Sequence, residues 1–242
     1  MTELTLAPVR GLPELREGDD LARLVVERAE LQDRDVLVVA QKAISKIEGR
    51  IVRLDHVEPS ARARKLADDG DPRRIEVILR EAKRVVRTRG SLIITETHHG
   101  FICASSGVDA SNAPEPGTLV LLPVDPDASA GRLRAALRDL TGHDVAVIVS
   151  DSFGRPWRLG TTDVAIGASG IEVLRDLRGA RDPNGYELRS TMIAIADELA
   201  GAAQLVAGKL NRTPVTVVRG LDARGDGSAR DIVMPRERSL FV

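Results

Sequence analysis

The sequence predicts a protein of mixed helices and strands. Three observations carry this. Short apolar runs of strand length recur, at Asp35–Ala40, Thr118–Leu122, Val145–Val149 and Val215–Val218. Between them lie segments whose apolar residues return every three or four positions, the period of a helix with one buried face. Gly, Pro, Asn and Asp punctuate the boundaries. At 242 residues the chain fits one large domain or two small ones. Hydrophobic residues make up 43% but aromatics only 2%, so the core must be built from Val, Leu, Ile and Ala.

Taken in order, Thr2 to Val9 reads as an opening strand. Gly11-Leu12-Pro13-Glu14-Leu15 is a rigid loop. Asp19 and Asp20 cap a helix carrying Leu21, Leu24, Val25 and Arg28 on successive turns. Asp35 to Ala40 is a buried strand left by Gln41-Lys42. Ile44 to Val52 continues with Lys46 inside and a turn at Glu48-Gly49. The charged stretch to Asp71 reads as solvated surface. Pro72 then starts a helix, where its missing N–H is harmless, with a stripe of Ile75, Ile78, Leu79, Ala82, Val85 and Val86. Ser91–Thr97 and Phe101–Ala104 form a hairpin around His98-His99-Gly100. Adjacent strand residues face opposite ways, so the two histidines are placed in a turn rather than on one metal. Thr118–Leu122 is a strand, and Asp127 is expected to cap a helix with Ala130, Leu133, Leu137 and Leu140 inward. Asp182-Pro183-Asn184-Gly185 marks a turn. Met192, Ile195, Ala196, Leu199, Ala203 and Val206 fit a helix ended by Gly208-Lys209, and Val215–Val218 is the last core strand.

Composition excludes several classes. A formal charge of -1 argues against nucleic-acid or membrane binding by bulk electrostatics. No cationic start leads into an apolar segment, so no signal peptide is expected, and no apolar run approaches the roughly 18 residues of a membrane span. The lone cysteine, Cys103, sits between Ile102 and Ala104 and reads as a small buried hydrophobe. A cytoplasmic protein is expected.

The chemistry concentrates in VAVIVSDSFGRPWRLGTTDVAIGASG, residues 145–170. An apolar strand is expected to end in Ser150-Asp151-Ser152, hard oxygen donors, followed by the cations Arg155 and Arg158. Gly160, Gly167 and Gly170 would let backbone approach a ligand. An Asp after a strand is most often a turn former or cap; what raises Asp151 above that is a second acidic loop, Gly107-Val108-Asp109-Ala110-Ser111-Asn112. Two such carboxylates can hold divalent cations that bridge nucleotide phosphates. Lysines occur only at 42, 46, 65, 83 and 209, the other cations being Arg or His, so the close pair Lys42 and Lys46 suggests point charges for phosphate oxygens. The common phosphate loop is absent, since Gly208-Lys209 is followed by Leu210 and lacks its earlier glycine. No Gly-x-Gly-x-x-Gly occurs. No Ser–His–acid order stands out among four histidines, and Arg224-Gly225-Asp226 reads as incidental.

These residues also carry a resemblance. GLPE (11–14), GDDL (18–21), ISKIEGR (44–50), GVDASN (107–112), LLPVDPDASA (121–130), SDSFGRPWRLG (150–160) and VVRG (217–220) resemble, in order and over nearly the whole chain, the coenzyme F420-0:L-glutamate ligase family. The resemblance implies an α+β fold of mixed sheets with flanking helices in two intertwined subdomains, and a homodimer. It implies gamma-glutamyl amide formation on a deazaflavin precursor with GTP as co-substrate. Divalent cations (Mg2+ or Mn2+, two per site) and a monovalent cation such as K+ come with it. Residue by residue, it implies nucleotide contacts at Leu12, Pro13, Glu14, Leu15, Gln41, Lys46 and Asn112, with Lys46 at the phosphates. It implies metal ligation by Asp109, Asp151 and Ser152. Lys46, Asp109 and Asp151 are the expected catalytic set, and chemistry alone gives Arg155 and Arg158 to a substrate carboxylate or phosphate. Two departures stand: Ser-Asp-Ser replaces the commoner Thr-Asp-Thr, and Gln41 replaces a Ser or Thr. Residues 1–242 are expected to be the ligase domain alone; some bacterial relatives carry a fused nitroreductase-like flavin domain, and with the sequence stopping at Val242 no flavin chemistry is expected. The competing readings are a GTP-binding regulatory module and a metal-dependent phosphohydrolase.

Overall fold

The structure is a computed structural model describing residues 3–240. Strand β1 (Thr5–Pro8) opens the chain and an extended loop leads to helix α1 (Leu21–Val26); the expected start at Thr2 lies outside the described residues. Asp20 caps α1 by accepting the Arg23 N–H at 3.0 Å. Strand β2 (Val36–Ala40) then runs without a break into helix α2 (Gln41–Ile47). The segment holding both lysines is therefore helical, which a seven-residue run is too short to announce through periodicity.

A smaller part follows: β3 (Ile51–Arg53), α3 (Ala61–Leu66), α4 (Pro72–Glu81), β4 (Ala82–Arg89), β5 (Leu92–Thr97), β6 (Ile102–Ala104) and β7 (Thr118–Val120). Two expectations are corrected here. The charged stretch before Asp71 is not all solvated, because α3 buries Ala63 and its neighbours Val57 and Ala67 are also buried. The helix from Pro72 stops at Glu81, and Ala82, Val85 and Val86 lie in β4, where Val85 stands opposite Thr95 of β5. Pairing with β5 satisfies that backbone and overrides the helical spacing. The expected hairpin is present as β5 and β6, antiparallel with Thr95 opposite Cys103.

The chain returns through α5 (Pro126–Thr141), β8 (Ala146–Arg155), β9 (Arg158–Ser169), β10 (Arg175–Asp176), β11 (Met192–Ile193), α6 (Ile195–Ala207) and β12 (Val215–Arg219). Met192 belongs to β11 rather than α6. The cap of α5 is Asp125, which accepts the Ala128 N–H at 3.1 Å, and not Asp127. Asp127 instead clamps distant segments, accepting the N–H of Ala168 at 2.8 Å, the N–H of Ala229 at 3.0 Å and the Ser228 hydroxyl at 2.6 Å.

The main sheet has the order β1-β12-β2-β8-β9. Only β2 and β8 are parallel, the other pairs being antiparallel. Strand alternation gives it two apolar faces. Leu37, Val39, Val147 and Val149 pack with α1 and α5. Val36, Val38, Ala146 and Ile148 pack with Ile195, Ala196, Leu199 and Ala203 of α6. A third cluster, including Ile75, Ile78, Ile93 and Leu119, fills the smaller part. The architecture is α+β, as expected. No helix among the described residues is long and apolar enough to cross a membrane.

The hairpin of β8 and β9 is the largest departure from the reading of residues 145–170. Strand β8 does not end at Val149 but continues to Arg155, turns at Pro156-Trp157 and returns. Trp157 has φ 56°, the left-handed sense a tight turn requires at its second corner after Pro. Gly167 serves packing and not a ligand: a Cβ there would stand 2.3 Å from the Pro126 carbonyl oxygen, so glycine lets the first turn of α5 rest on β9.

Candidate active site

Because β2 and β8 are parallel neighbours, both leave the sheet at the same edge, where ligands of such sheets commonly bind. A cavity of about 620 Å³ opens there. Helix α2 starts at this edge, and Lys42 and Lys46, four residues apart, share one face of it. Both line the cavity. The loop Leu12–Leu15 lines the cavity beside α2. It is tied to α2 by the Gly18 N–H on the Ile47 carbonyl at 3.0 Å and by an ion pair of Glu14 with Lys46.

Gln41 is buried at the cavity wall, and its amide N–H groups already reach Ser45 Oγ at 2.6 Å and the Leu121 carbonyl at 2.8 Å. Its carbonyl oxygen is what it can offer a ligand. Asn112 also lines the cavity, with φ 54°, a conformation Asn tolerates better than most residues.

Asp109 in its loop and Asp151 on β8, far apart in sequence, both come under the charge of Lys42. Its ammonium bonds Asp109 Oδ2 at 2.7 Å. Burial pushes the Asp109 carboxyl up, but bonds from Lys42 and from the Ser111 hydroxyl and N–H outweigh it and hold it at about 2. Asp151 shows the reverse balance. Burial drives its carboxyl up to about 6; Lys42 and the Ser152 N–H pull it down, while the charges of Asp163 and Asp109 add to the rise. Asp109, Asp151 and Lys42 thus share one electrostatic neighbourhood, although Asp109 itself does not line the cavity wall.

The hairpin separates neighbours in sequence. Ser152 stands opposite Asp163 in the register, and Asp151 opposite Val164, so Asp151 and Ser152 project to opposite faces. The Ser152 hydroxyl donates to Asp163 Oδ1 at 2.6 Å. Asp163 carries no signal in the sequence. It follows a polar segment with no apolar run, and only the cross-strand register brings it to Ser152. Arg155 and Arg158 lie paired near the hairpin tip, exposed and outside the cavity lining; Arg155 donates to the Leu159 carbonyl at 3.1 Å.

A divalent cation suits this donor set in part. The donors are hard oxygens, and a half-buried, desolvated carboxylate near the charges of two others gains from a nearby cation. Among the described residues, however, no three His, Cys, Asp or Glu side chains are grouped to hold a metal alone. Mg2+ typically takes only one or two carboxylates and completes its shell with water and substrate phosphate, which matches such a site. The histidines take no part: His98 Nε2 meets the Arg80 carbonyl at 3.1 Å and His99 Nε2 the Pro123 carbonyl at 2.9 Å. Cys103 is buried, and desolvation first, then the Asp151 charge, pushes its thiol up to about 12. It is a protonated packing group, as expected.

Two lysines on one helix face, one carboxylate from a loop and one from β8 are thus brought together at a roomy cavity beside a parallel strand pair. Sequence comparison then fixes the family. The F420-0:Gamma-glutamyl ligase family profile matches residues 11–220, and the chain belongs to this family. Relatives named coenzyme F420:L-glutamate ligase resemble it along almost their whole length. The one from Methanopyrus kandleri is 48% identical, over 98% of this chain and 97% of the relative. That from Methanocaldococcus jannaschii is 43% identical over 95% and 94%. The one from Methanothermobacter thermautotrophicus is 39% identical over 98% of each.

Proposed function

We propose that the protein joins L-glutamate to coenzyme F420-0 through a gamma-glutamyl amide, with GTP as phosphoryl donor. The observation that carries this is the meeting of Lys42, Lys46 and Asp151 at one cavity, with Asp109 bonded to Lys42. In this reading the Leu12–Leu15 loop, Gln41 and Asn112 hold the nucleotide. Lys46 and Lys42 neutralise the triphosphate, and charge stabilisation of this kind is the main route by which phosphoryl transfer is accelerated. The terminal carboxylate of the precursor attacks the γ-phosphorus; the β–γ bridging P–O bond breaks, GDP leaves and an acyl phosphate forms. The free amine of glutamate attacks the acyl carbon, the C–O bond to phosphate breaks, and the amine nitrogen loses a proton. Asp109 and Asp151 would hold Mg2+ or Mn2+, two per site in this reading with Ser152 and a monovalent ion such as K+ nearby, adding Lewis-acid charge to the phosphates. A cytoplasmic homodimer completes the proposal. The exposed tip of the β8–β9 hairpin, where Leu159 is 99% exposed, is the surface assigned to the partner.

The test is incubation with GTP, Mg2+, glutamate and F420-0, followed by mass spectrometry. A product heavier by one glutamate residue is expected. GTP binding without product would leave a regulatory module, and phosphate release without glutamate would leave a phosphohydrolase.

A further inference from the structure

The sheet face under α6 changes character where that helix ends. Beneath the body of α6 it carries Val36, Ala146, Ile148 and Val218. Towards the cavity the same face carries Thr216, Ser150, Ser152 and Asp163. The two serines give their hydroxyls to Asp163, at 3.4 and 2.6 Å. Thr216 does not share in this. Its Oγ1 is buried without a hydrogen-bond partner among the described residues, the residue is 1% exposed, and it lines the cavity.

Thr216 stands opposite Val38 in the β12–β2 register. Val38 and Ala40 from the sheet, and Ala203 and Ala207 from α6, line the cavity with it. Small apolar side chains from the sheet and from α6 line this end of the cavity, a surface that suits a flat ring, and the Thr216 hydroxyl beside them has no partner among the described residues. The cavity's cations stand elsewhere: Lys42 and Lys46 on α2, Lys209 and Arg212 exposed in the loop before β12. That distribution suits charge at the α2 end and an uncharged heteroaromatic ring over Thr216. Valine has the same shape and would fill the position without burying an unpaired hydroxyl, which is destabilising. A threonine here is explained when its partner arrives with the ligand, because a hydroxyl can donate or accept toward a ring edge.

We propose that Thr216 reads the purine base of the nucleoside triphosphate, its hydroxyl bonding a polar atom of the ring edge while Val38 and Ala40 pack on the ring face. This rests on the nucleotide-dependent ligase reading above. The experiment uses the full-length protein and compares wild type, Thr216→Val and Thr216→Ser. GTP affinity is read by calorimetry, KM for GTP and for the precursor by ligation, and unliganded Tm by calorimetric scan. Thr216→Val is expected to keep or raise the unliganded Tm, weaken GTP binding about tenfold, the size of one good hydrogen bond, and raise KM for GTP by a similar factor while KM for the precursor moves little. Thr216→Ser should restore GTP affinity. Where Thr216→Val fails to fold, Thr216→Ala takes its place in the same comparison. Unchanged GTP affinity in the folded variant overturns the proposal, as does a rise in KM confined to the precursor. Wild type that binds no GTP removes the ligase reading and this proposal together; wild type that binds while the variant binds equally removes this proposal alone.

Discussion

At Asp151 stability and function pull in opposite directions, and Asp151→Asn measures by how much. The carboxyl of the half-buried Asp151 is pushed up to about 6 in the folded state by desolvation and by the charges of Asp163 and Asp109. In an unfolded chain it would titrate near 3.9. Below about pH 4 both states hold the proton and burial costs little. Between about pH 4 and 6 the folded state keeps the proton while the unfolded state releases it, so stability falls as pH rises and levels off above the folded value. Two pK units at about 1.36 kcal/mol each put the loss near 3 kcal/mol. Asparagine keeps the shape and can still accept the Ser152 N–H, but it forgoes the attraction of Lys42. The variant should therefore be more stable than wild type by about 2–3 kcal/mol at pH 8, shrinking to near zero at pH 4, and it should be inactive in ligation. Urea unfolding of both proteins from pH 4 to 8, with a chelator present, gives the answer. A variant less stable at pH 8, or a difference constant across the range, would refute the claim that burial and like charges strain this carboxylate.

Asp109 behaves with the opposite sign, since its folded carboxyl lies at about 2: its contribution is present above the unfolded value near 3.9 and is lost as pH falls through the folded one. Lys42→Met should cost about 1–2 kcal/mol at pH 7, as expected for a half-buried ion pair, and the difference should close as pH falls toward the folded value; denaturant titrations at several pH values check both. Asp109→Ala should lower ligation by at least about 100-fold, the scale of losing one preorganised charge contact, with an unchanged far-UV spectrum. Gly167→Ala forces α5 away from β9 and should cost about 1–3 kcal/mol by overpacking, read as a lower thermal midpoint. Asp127→Ala removes the acceptor shared by Ala168, Ala229 and Ser228, and an equilibrium unfolding curve should show a loss of about 1–3 kcal/mol.

Local pattern was enough for the buried strands and for the raw material of the site. Val36–Ala40, Val145–Val149 and Val215–Val218 are apolar because they sit in the middle of a two-sided sheet, and such runs declare themselves. The two acidic loops and the scarce lysine pair were also visible, as unusual residue choices beside those runs. What local pattern cannot carry is pairing. The boundary between α4 and β4 depends on β5 being present to accept the backbone, so helical spacing ran on past it. The strand β8 looked finished at Val149 because its outer half leaves the core and needs no apolar residues, yet its backbone is still paired with β9. For the same reason Asp163 and Thr216 gave no sequence signal. The partner of the first lies across a hairpin; the second differs from its valine neighbours only in facing the cavity where α6 ends. Hydrophobic periodicity records which side of a segment is buried, whereas register between distant strands is settled by long-range packing, and that packing decided which polar groups share the cavity.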